Sequence, residues 1–238
     1  MLFFQQKEQL VKEYFGILKT CPLFSGVEED ELQAMLQCLG ARELAFDREQ
    51  TIFREGDCAD FVGVVLQGAV RIVRTDFYGN QTIVGQVEPG ELFGEAFSCA
   101  GVDSLPVTVT AAIPSRVLLL DLRRVLTVCS KACLFHSRIV SNLVQVLAHK
   151  NLQLNRRLDV ASRRSTRDKL MTYLQGQAKA CGSAAFTIPF DRQALADYLG
   201  VERSAMSAEL SRMHKDGLLE TRRNHFRLLG AKPFAREE

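Results

Sequence analysis

From Ser130 to Val160 the chain contains neither glycine nor proline, and no other stretch restricts the possible folds as strongly. Val140, Leu143, Leu147 and Leu154 fall on an a/d-like stripe along it, with Lys150 taking one position in the seam. Such a stripe predicts one long helix. Four or more turns of apolar stripe exceed what a small β-domain needs to cover itself, so these four residues are expected at a dimer interface. The alternative is a helix lying on its own β-domain.

The segments on either side read differently. Over Lys7–Gly40, Leu10, Tyr14, Ile17 and Leu18 recur at helical spacing, and Ser25-Gly26-Val27-Glu28 reads as a cap before Leu32, Met35 and Leu36. From about Arg42 to Leu122 short alternating runs take over: Thr51–Phe53, Phe61–Leu66, Val70–Val73, Thr82–Val87, Val107–Ala111 and Val117–Leu120. Turn signals separate them at Glu55-Gly56-Asp57, Gln67-Gly68, Tyr78-Gly79-Asn80 and Glu88-Pro89-Gly90. Strands this short and this evenly spaced predict a β-sandwich, roll or barrel. The fold class is therefore α+β, with a β-domain over 1–128, the long helix over 129–161 and a separate domain over 162–238.

Composition narrows the functional classes. The net charge of +2 hides an asymmetry, −4 over residues 1–150 and +6 over 151–238. A basic second half points to a phosphate-backbone partner. Met1–Phe4 lacks the leading basic residues and the length of a secretory signal, and no stretch is long enough to cross a bilayer, so a cytoplasmic location with no membrane contact is expected. The seven cysteines (21, 38, 58, 99, 129, 133, 181) form no Cys-x-x-Cys pair, which argues against a zinc or thioredoxin-like site. Cys129 and Cys133 could share one helical face; all seven read best as buried, reduced thiols. No metal, cofactor or catalytic constellation is expected, because paired catalytic carboxylates, a nucleophile elbow and a phosphate-binding glycine loop are all missing. An enzyme is not predicted.

The last domain carries the sharpest signal. It reads helix (Arg167–Ala180), turn (Cys181-Gly182-Ser183), strand (Phe186–Phe190), two close-set helices, and a hairpin of Leu218–Arg222 with Phe226–Leu229, Asn224-His225 near its tip. In Arg192–Leu210, Leu195 and Leu199 face a core, Ala196 permits a close helix crossing, and Gly200 supplies a left-handed corner. Val201 packs under that corner, with Met206 and Leu210 pinning the second helix from behind. Glu202, Arg203, Ser204 and Ser207, with Ala208 beside them, are left on the outward, N-terminal face, which a helix-turn-helix presents to base edges. Arg203 suits bidentate contact with guanine. Arg222, Arg223, His225 and Arg227 then supply a cationic hairpin for phosphate anchoring.

Taken together, Phe53-Arg54-Glu55-Gly56-Asp57, Leu66-Gln67-Gly68-Ala69-Val70, Pro89-Gly90-Glu91-Leu92-Phe93-Gly94-Glu95 and the helix-turn-helix with its wing resemble the family of the cyclic-AMP receptor protein and the fumarate-nitrate regulator (CRP/FNR), from about Cys21 to Leu229. The resemblance implies a β-roll effector domain of the cyclic-nucleotide-binding (jelly-roll) kind, a dimerisation helix, a hinge at Ser162–Thr166, and a homodimer on a two-fold symmetric site in double-stranded DNA. It also implies that Gln193 contacts phosphate, that Arg203 reads bases, and that the Gln177–Ala185 loop meets RNA polymerase. Ser204 and Ala208 stand where the family often carries Glu and Arg, so the operator is expected to differ. Glu209 stands where an apolar residue is usual.

The sensing domain departs further. Cyclic-nucleotide members close Gly-Glu and a downstream Arg-Ser/Thr on the cyclic phosphate. This chain keeps Gly94-Glu95 but has Leu105-Pro106 downstream, so a desolvated phosphodiester would meet a carboxylate and no cation. Cyclic AMP is disfavoured. Iron–sulfur members carry an N-terminal cysteine cluster, where this chain has only Cys21, and its histidines (136, 149, 214, 225) lie in the long helix or beyond, unsuited to haem. A pocket between roll and long helix, with Phe93, Gly94, Glu95, Phe97, Leu105 and Val107, is expected to take an apolar or weakly polar effector of unknown identity, or simply to be core. Cys99 nearby keeps a thiol-responsive regulator open, and a regulatory subunit of the cyclic-nucleotide type that does not bind DNA is the other alternative.

Overall fold

The computed structural model describes residues 2–121, 124 and 134–230, and its chain contacts divide into two units, Met1–His149 and Lys150–Glu238. The first begins with α1 (Leu2–Thr20), a 3₁₀ turn (Pro22–Phe24) and α2 (Glu29–Cys38). Leu10, Val11, Tyr14 and Leu18 form the inward stripe of α1. The cap of α2 is Glu28, not Ser25: Glu28 and Glu31 make a reciprocal capping box, which the acidic first turn reinforces.

Eight strands follow: β1 (Arg42–Phe46), β2 (Thr51–Phe53), β3 (Phe61–Gln67), β4 (Val70–Thr75), β5 (Gln81–Val87), β6 (Leu92–Phe93), β7 (Thr108–Ala111) and β8 (Ser115–Asp121), with a short α3 (Glu95–Ala100) after β6. They form two antiparallel sheets, in order β1-β8-β3-β6 and β2-β7-β4-β5. Alternation along β3 explains its burial on both faces. Val62, Val64 and Leu66 join the cluster with α1 and α2, whereas Val65 joins the cluster shared with Val70, Val87, Phe93, Val109, Val117 and Leu119 of both sheets. Phe77 and Tyr78, at the β4–β5 hairpin tip, are almost fully exposed and stack edge-on at 5.6 Å.

The long helix α4 (Leu134–Ala161) was expected from 130 onward; its opening residues, with Cys129 and Cys133, lie outside the described residues. Ile139, Leu143 and Val146 are buried in the cluster with α1 and α2, and Leu147 packs against it. Asn142 fastens the contact, donating to the carbonyls of Leu23 (2.9 Å) and Ser25 (3.0 Å). Leu143 is thus a core residue of its own unit, where an outward seam was expected. Four apolar positions face outward, Val144, Leu152, Leu154 and Leu158, each 55–65 % exposed, and three of them, Val144, Leu154 and Leu158, share one stripe. With the half-buried Val140 and Leu147 they repeat at alternating steps of four and three, and this register passes through Asn151, not Lys150.

The second unit contains the end of α4, then α5 (Thr166–Cys181), β9 (Ala185–Thr187), α6 (Arg192–Leu199), α7 (Arg203–Lys215), β10 (Leu219–Arg222) and β11 (His225–Leu228). Ser165 caps α5, its hydroxyl accepting from the Asp168 N–H. The strands pair in order β10-β11-β9, and Phe186 stacks on Phe226 beneath them at 6.3 Å. β9 stops at Thr187, short of the expected Phe190; Pro189, two residues on, has no N–H to give a ladder.

Candidate nucleic-acid interface and effector site

The α6–α7 pair is built from an apolar underside. Leu195, Ala196 and Leu199 of α6 and Met206, Leu210 and Met213 of α7 are buried in one cluster, with Val201 packed against it. Gly200 closes α6 at φ +61°, a left-handed conformation that an L side chain adopts only at a cost. Lys169 supports the same corner from α5, donating from Nζ to the Leu199 carbonyl at 3.0 Å. Asp191 caps the start of α6, accepting from Ala194 N–H at 2.8 Å.

This scaffold leaves one end of α7 exposed. Arg203, Ser204, Ser207 and Ala208 all lie at the surface. Glu202 is also exposed, but its carboxylate is occupied: it accepts from the Ser204 N–H at 2.7 Å and from the Ser204 hydroxyl. These hydrogen bonds hold the Glu202 carboxyl below the usual carboxylate range. Glu202 is therefore the N-cap of α7, and Arg203 is the first helical residue with its guanidinium in solvent. Gln193 is exposed on α6 and donates to Asp197 at 2.9 Å.

The wing is a tight hairpin. Arg222 and His225 pair across it, and Arg223 and Asn224 form the turn, Arg223 at φ +55°. His225 thus lies on β11, where the tip was expected, and its Nδ1 sits 2.7 Å from the Thr187 hydroxyl. Arg222, Arg223 and Arg227 are exposed, Arg227 only loosely associated with Glu220 at 3.9 Å. Arg192, unremarked in the sequence reading, ties wing to helix. It donates to the Thr221 hydroxyl at 2.9 Å and lies over the Phe226 ring, and burial pushes its pKa down.

Glu209 is buried on the inner face of α7. Its Oε1 accepts from Arg167 Nε of α5 at 2.6 Å and its Oε2 from Arg212 at 2.8 Å. The Arg167 hydrogen bond holds its carboxyl below the usual range against the opposing effect of burial. An acid at a position expected to be apolar is thus explained by two arginines, Arg212 three residues on and Arg167 far away in the chain.

In the β-roll, a small interior space is lined by Phe53, Phe61, Ile72, Gly94, Phe97 and Leu105, with Cys58, Ala59, Val107 and Val109 completing the wall. Among the described residues none of α4 lines this space, whereas a pocket between roll and long helix was expected. The space is small, with room for roughly one water. Phe93 is behind it, fully buried, its ring 6.0 Å from that of Phe53. Gly63 makes room for Phe93: a Cβ there would lie 2.1 Å from the ring. Leu105 is fixed by the Gly56–Asp57 turn, its N–H donating to the Asp57 carbonyl and its own carbonyl accepting from Gly56, both at 2.9 Å. Glu95 is buried at the start of α3, and Cys99 is half-buried one turn on. Burial, and then the Glu95 charge, pushes the Cys99 thiol up, which disfavours the thiolate that oxidation needs. Among the described residues no cluster could hold a metal ion, and no helix is long and apolar enough to cross a membrane.

A helix seated from behind and open at its N-terminal end, followed by a hairpin with exposed arginines, is a winged helix-turn-helix, and the protein is a DNA-binding transcription regulator. Residues 43–132 match the family model of the cyclic nucleotide-binding domain, and residues 168–232 that of the Crp-like helix-turn-helix domain. The chain belongs to the CRP/FNR family. It is 23 % identical over 185 residues to the transcriptional activator protein FnrA of Stutzerimonas stutzeri, covering 76 % of this chain and 73 % of the relative. It is 25 % identical over 202 residues to the cyclic AMP receptor protein of Thermus thermophilus (85 % and 89 % covered) and 26 % over 214 residues to the nitrogen fixation regulation protein FixK of Bradyrhizobium diazoefficiens (85 % and 83 %). The fold is similar to that of the Thermus thermophilus catabolite activator protein, with a TM-score of 0.51 at 23 % identity over 87 % of this chain and 93 % of that one.

Proposed function

We propose that the protein works as a homodimer on a two-fold symmetric DNA site, each α7 reading one half-site through Arg203, with Ser204 and Ser207 beside it. Arg222, Arg223 and Gln193 hold the phosphate backbone. The observation that carries this is the exposed guanidinium of Arg203 at the first turn of a helix whose opposite face is wholly buried. The outward stripe of Val140, Val144, Leu147, Asn151, Leu154 and Leu158 supports dimerisation through α4, Asn151 being the kind of polar seam residue that sets register. The exposed turn around Gly182 is the surface we assign to RNA polymerase. Selection of duplexes from a random-sequence pool, followed by gel shifts across a salt series, tests the reading. A symmetric motif bound with a steep salt dependence is expected; no enrichment and no salt-dependent binding would refute it.

For the effector we propose a small uncharged molecule within the roll. The aromatic and aliphatic wall supports this, as does Leu105 where a phosphate would need a cation. Several relatives are named for cyclic AMP, which makes that nucleotide the direct challenge. Calorimetric titration is expected to show no cyclic AMP binding at micromolar concentrations, and micromolar binding would overturn the proposal. A switch at Cys99 is not favoured by its raised thiol.

A further inference from the structure

The apolar contacts beneath α7 hold it down but have little directionality: Met206, Leu210 and Met213 could slide by a fraction of an ångström at small cost. Base readout by a guanidinium does not tolerate such slippage, because bidentate geometry is narrow. The directional restraint that ties this helix to α5 is ionic. Arg167, the second residue of α5, donates from Nε to Glu209 (2.6 Å) and from Nη2 to Asp216 (2.7 Å). One planar fork thereby grips α7 at its middle and at its C-cap, about two turns apart. Arg212 closes the other oxygen of Glu209 from α7 itself, at 2.8 Å.

The pairing is poorly explained by stability. Glu209 lies in a site that an aliphatic side chain would fill, and exchanging buried ionic groups for apolar ones is often neutral or stabilising. We infer that Arg167, Glu209 and Arg212 form a positioning clamp that fixes the register of α7 against α5, and that Glu209 determines DNA specificity without touching a base. This rests on the DNA-reading function proposed above. The clamp restrains rotation and sliding of α7, so its loss spoils the alignment of Arg203 with a base edge. Phosphate contacts from the wing are left unaffected, being long-ranged and less demanding in geometry.

The test uses the full-length protein, a duplex that the wild type has selected from a random pool, and the unselected pool as non-specific competitor. Two variants are compared, Glu209→Leu and Arg167→Lys. In Glu209→Leu the arginines left behind are 39 % and 68 % exposed, so they are not stranded in the core. Arg167→Lys keeps the charge but has no fork to span Glu209 and Asp216. Both are expected to keep the wild-type thermal midpoint and affinity for unselected DNA, while the ratio of selected to unselected affinity falls roughly 3- to 30-fold. The enriched motif should also become degenerate. A ratio within two-fold of wild type in a folded variant overturns the clamp, as does an equal loss of selected and unselected binding together with a lowered midpoint, which is the signature of a merely structural role. Should Glu209→Leu fail to fold, Arg167→Lys decides alone. If the wild type itself enriches no sequence, the DNA-reading function fails first and the clamp with it.

Discussion

At the scale of single residues, two exposed arginines and one buried glycine have different work. Arg203 sits on a rigid helix end, so Arg203→Ala is expected to weaken binding to the selected operator by roughly 1–3 kcal/mol and leave the fold intact. A gel shift with undiminished sequence preference would contradict that role. Arg222 lies on the wing, where it meets charge and not base edges, so Arg222→Ala should weaken binding to all sequences and lower the salt slope by about one. Gly63 acts through packing alone. A methyl group there would meet the Phe93 ring, which is enclosed on every side, so Gly63→Ala should cost about 1–3 kcal/mol in denaturant unfolding. Phe93→Leu added to it should return part of the loss, since the two residues share one space. Nothing in the sequence marks Gly63 as special, because its partner lies thirty positions away on another strand.

At the scale of elements, the long helix shows how far periodicity can be taken. An apolar stripe was legible over α4, but two such stripes share the helix. Leu143 belongs to the one facing α1 and α2, and Val144 to the one facing outward. A pattern of apolar residues states that a face is buried without stating against what. The outward stripe supports a specific expectation: Leu154→Glu or Leu158→Glu should shift sedimentation towards monomer with the fold retained, whereas Leu143→Asp should unfold the first unit. A dimer that survives Leu154→Glu and Leu158→Glu together would remove α4 from the interface. Short elements were harder to read. β6, two residues long, and α3 carry too few positions to establish any period, and only their place between β5 and β7 defines them. The paired strands, the glycine corner of α6–α7 and the wing were legible because turn and strand chemistry is local.

At the scale of the whole molecule, acidity separates the clamp from the rest. The Glu209 carboxyl is held below its ordinary value near 4.5 in the folded protein, chiefly by the Arg167 hydrogen bond. A depressed carboxyl contributes stability that is complete above the unfolded value and is lost as pH falls through the folded one. Thermal midpoints of the wild type should therefore hold steady relative to Glu209→Leu from about pH 7 to about pH 5, then fall relative to it below about pH 4.5. A constant difference across that range would mean that the Glu209 carboxyl has the same acidity in the folded and unfolded chain.

The amino-acid order by itself determined the succession of the longer elements, the position of the helix-turn-helix and its wing, and the loss of a cation from the effector loop, since each rests on neighbours within about twenty residues or on the presence of one residue type; β1, β6 and α3 were not legible in it. Tertiary structure decided which stripe of α4 is free, that the interior of the roll is filled by Phe93 and Leu105, and that Glu209 is paired from α5. These depend on side chains brought together across long stretches of chain, where distance and direction, not residue type, set the energy.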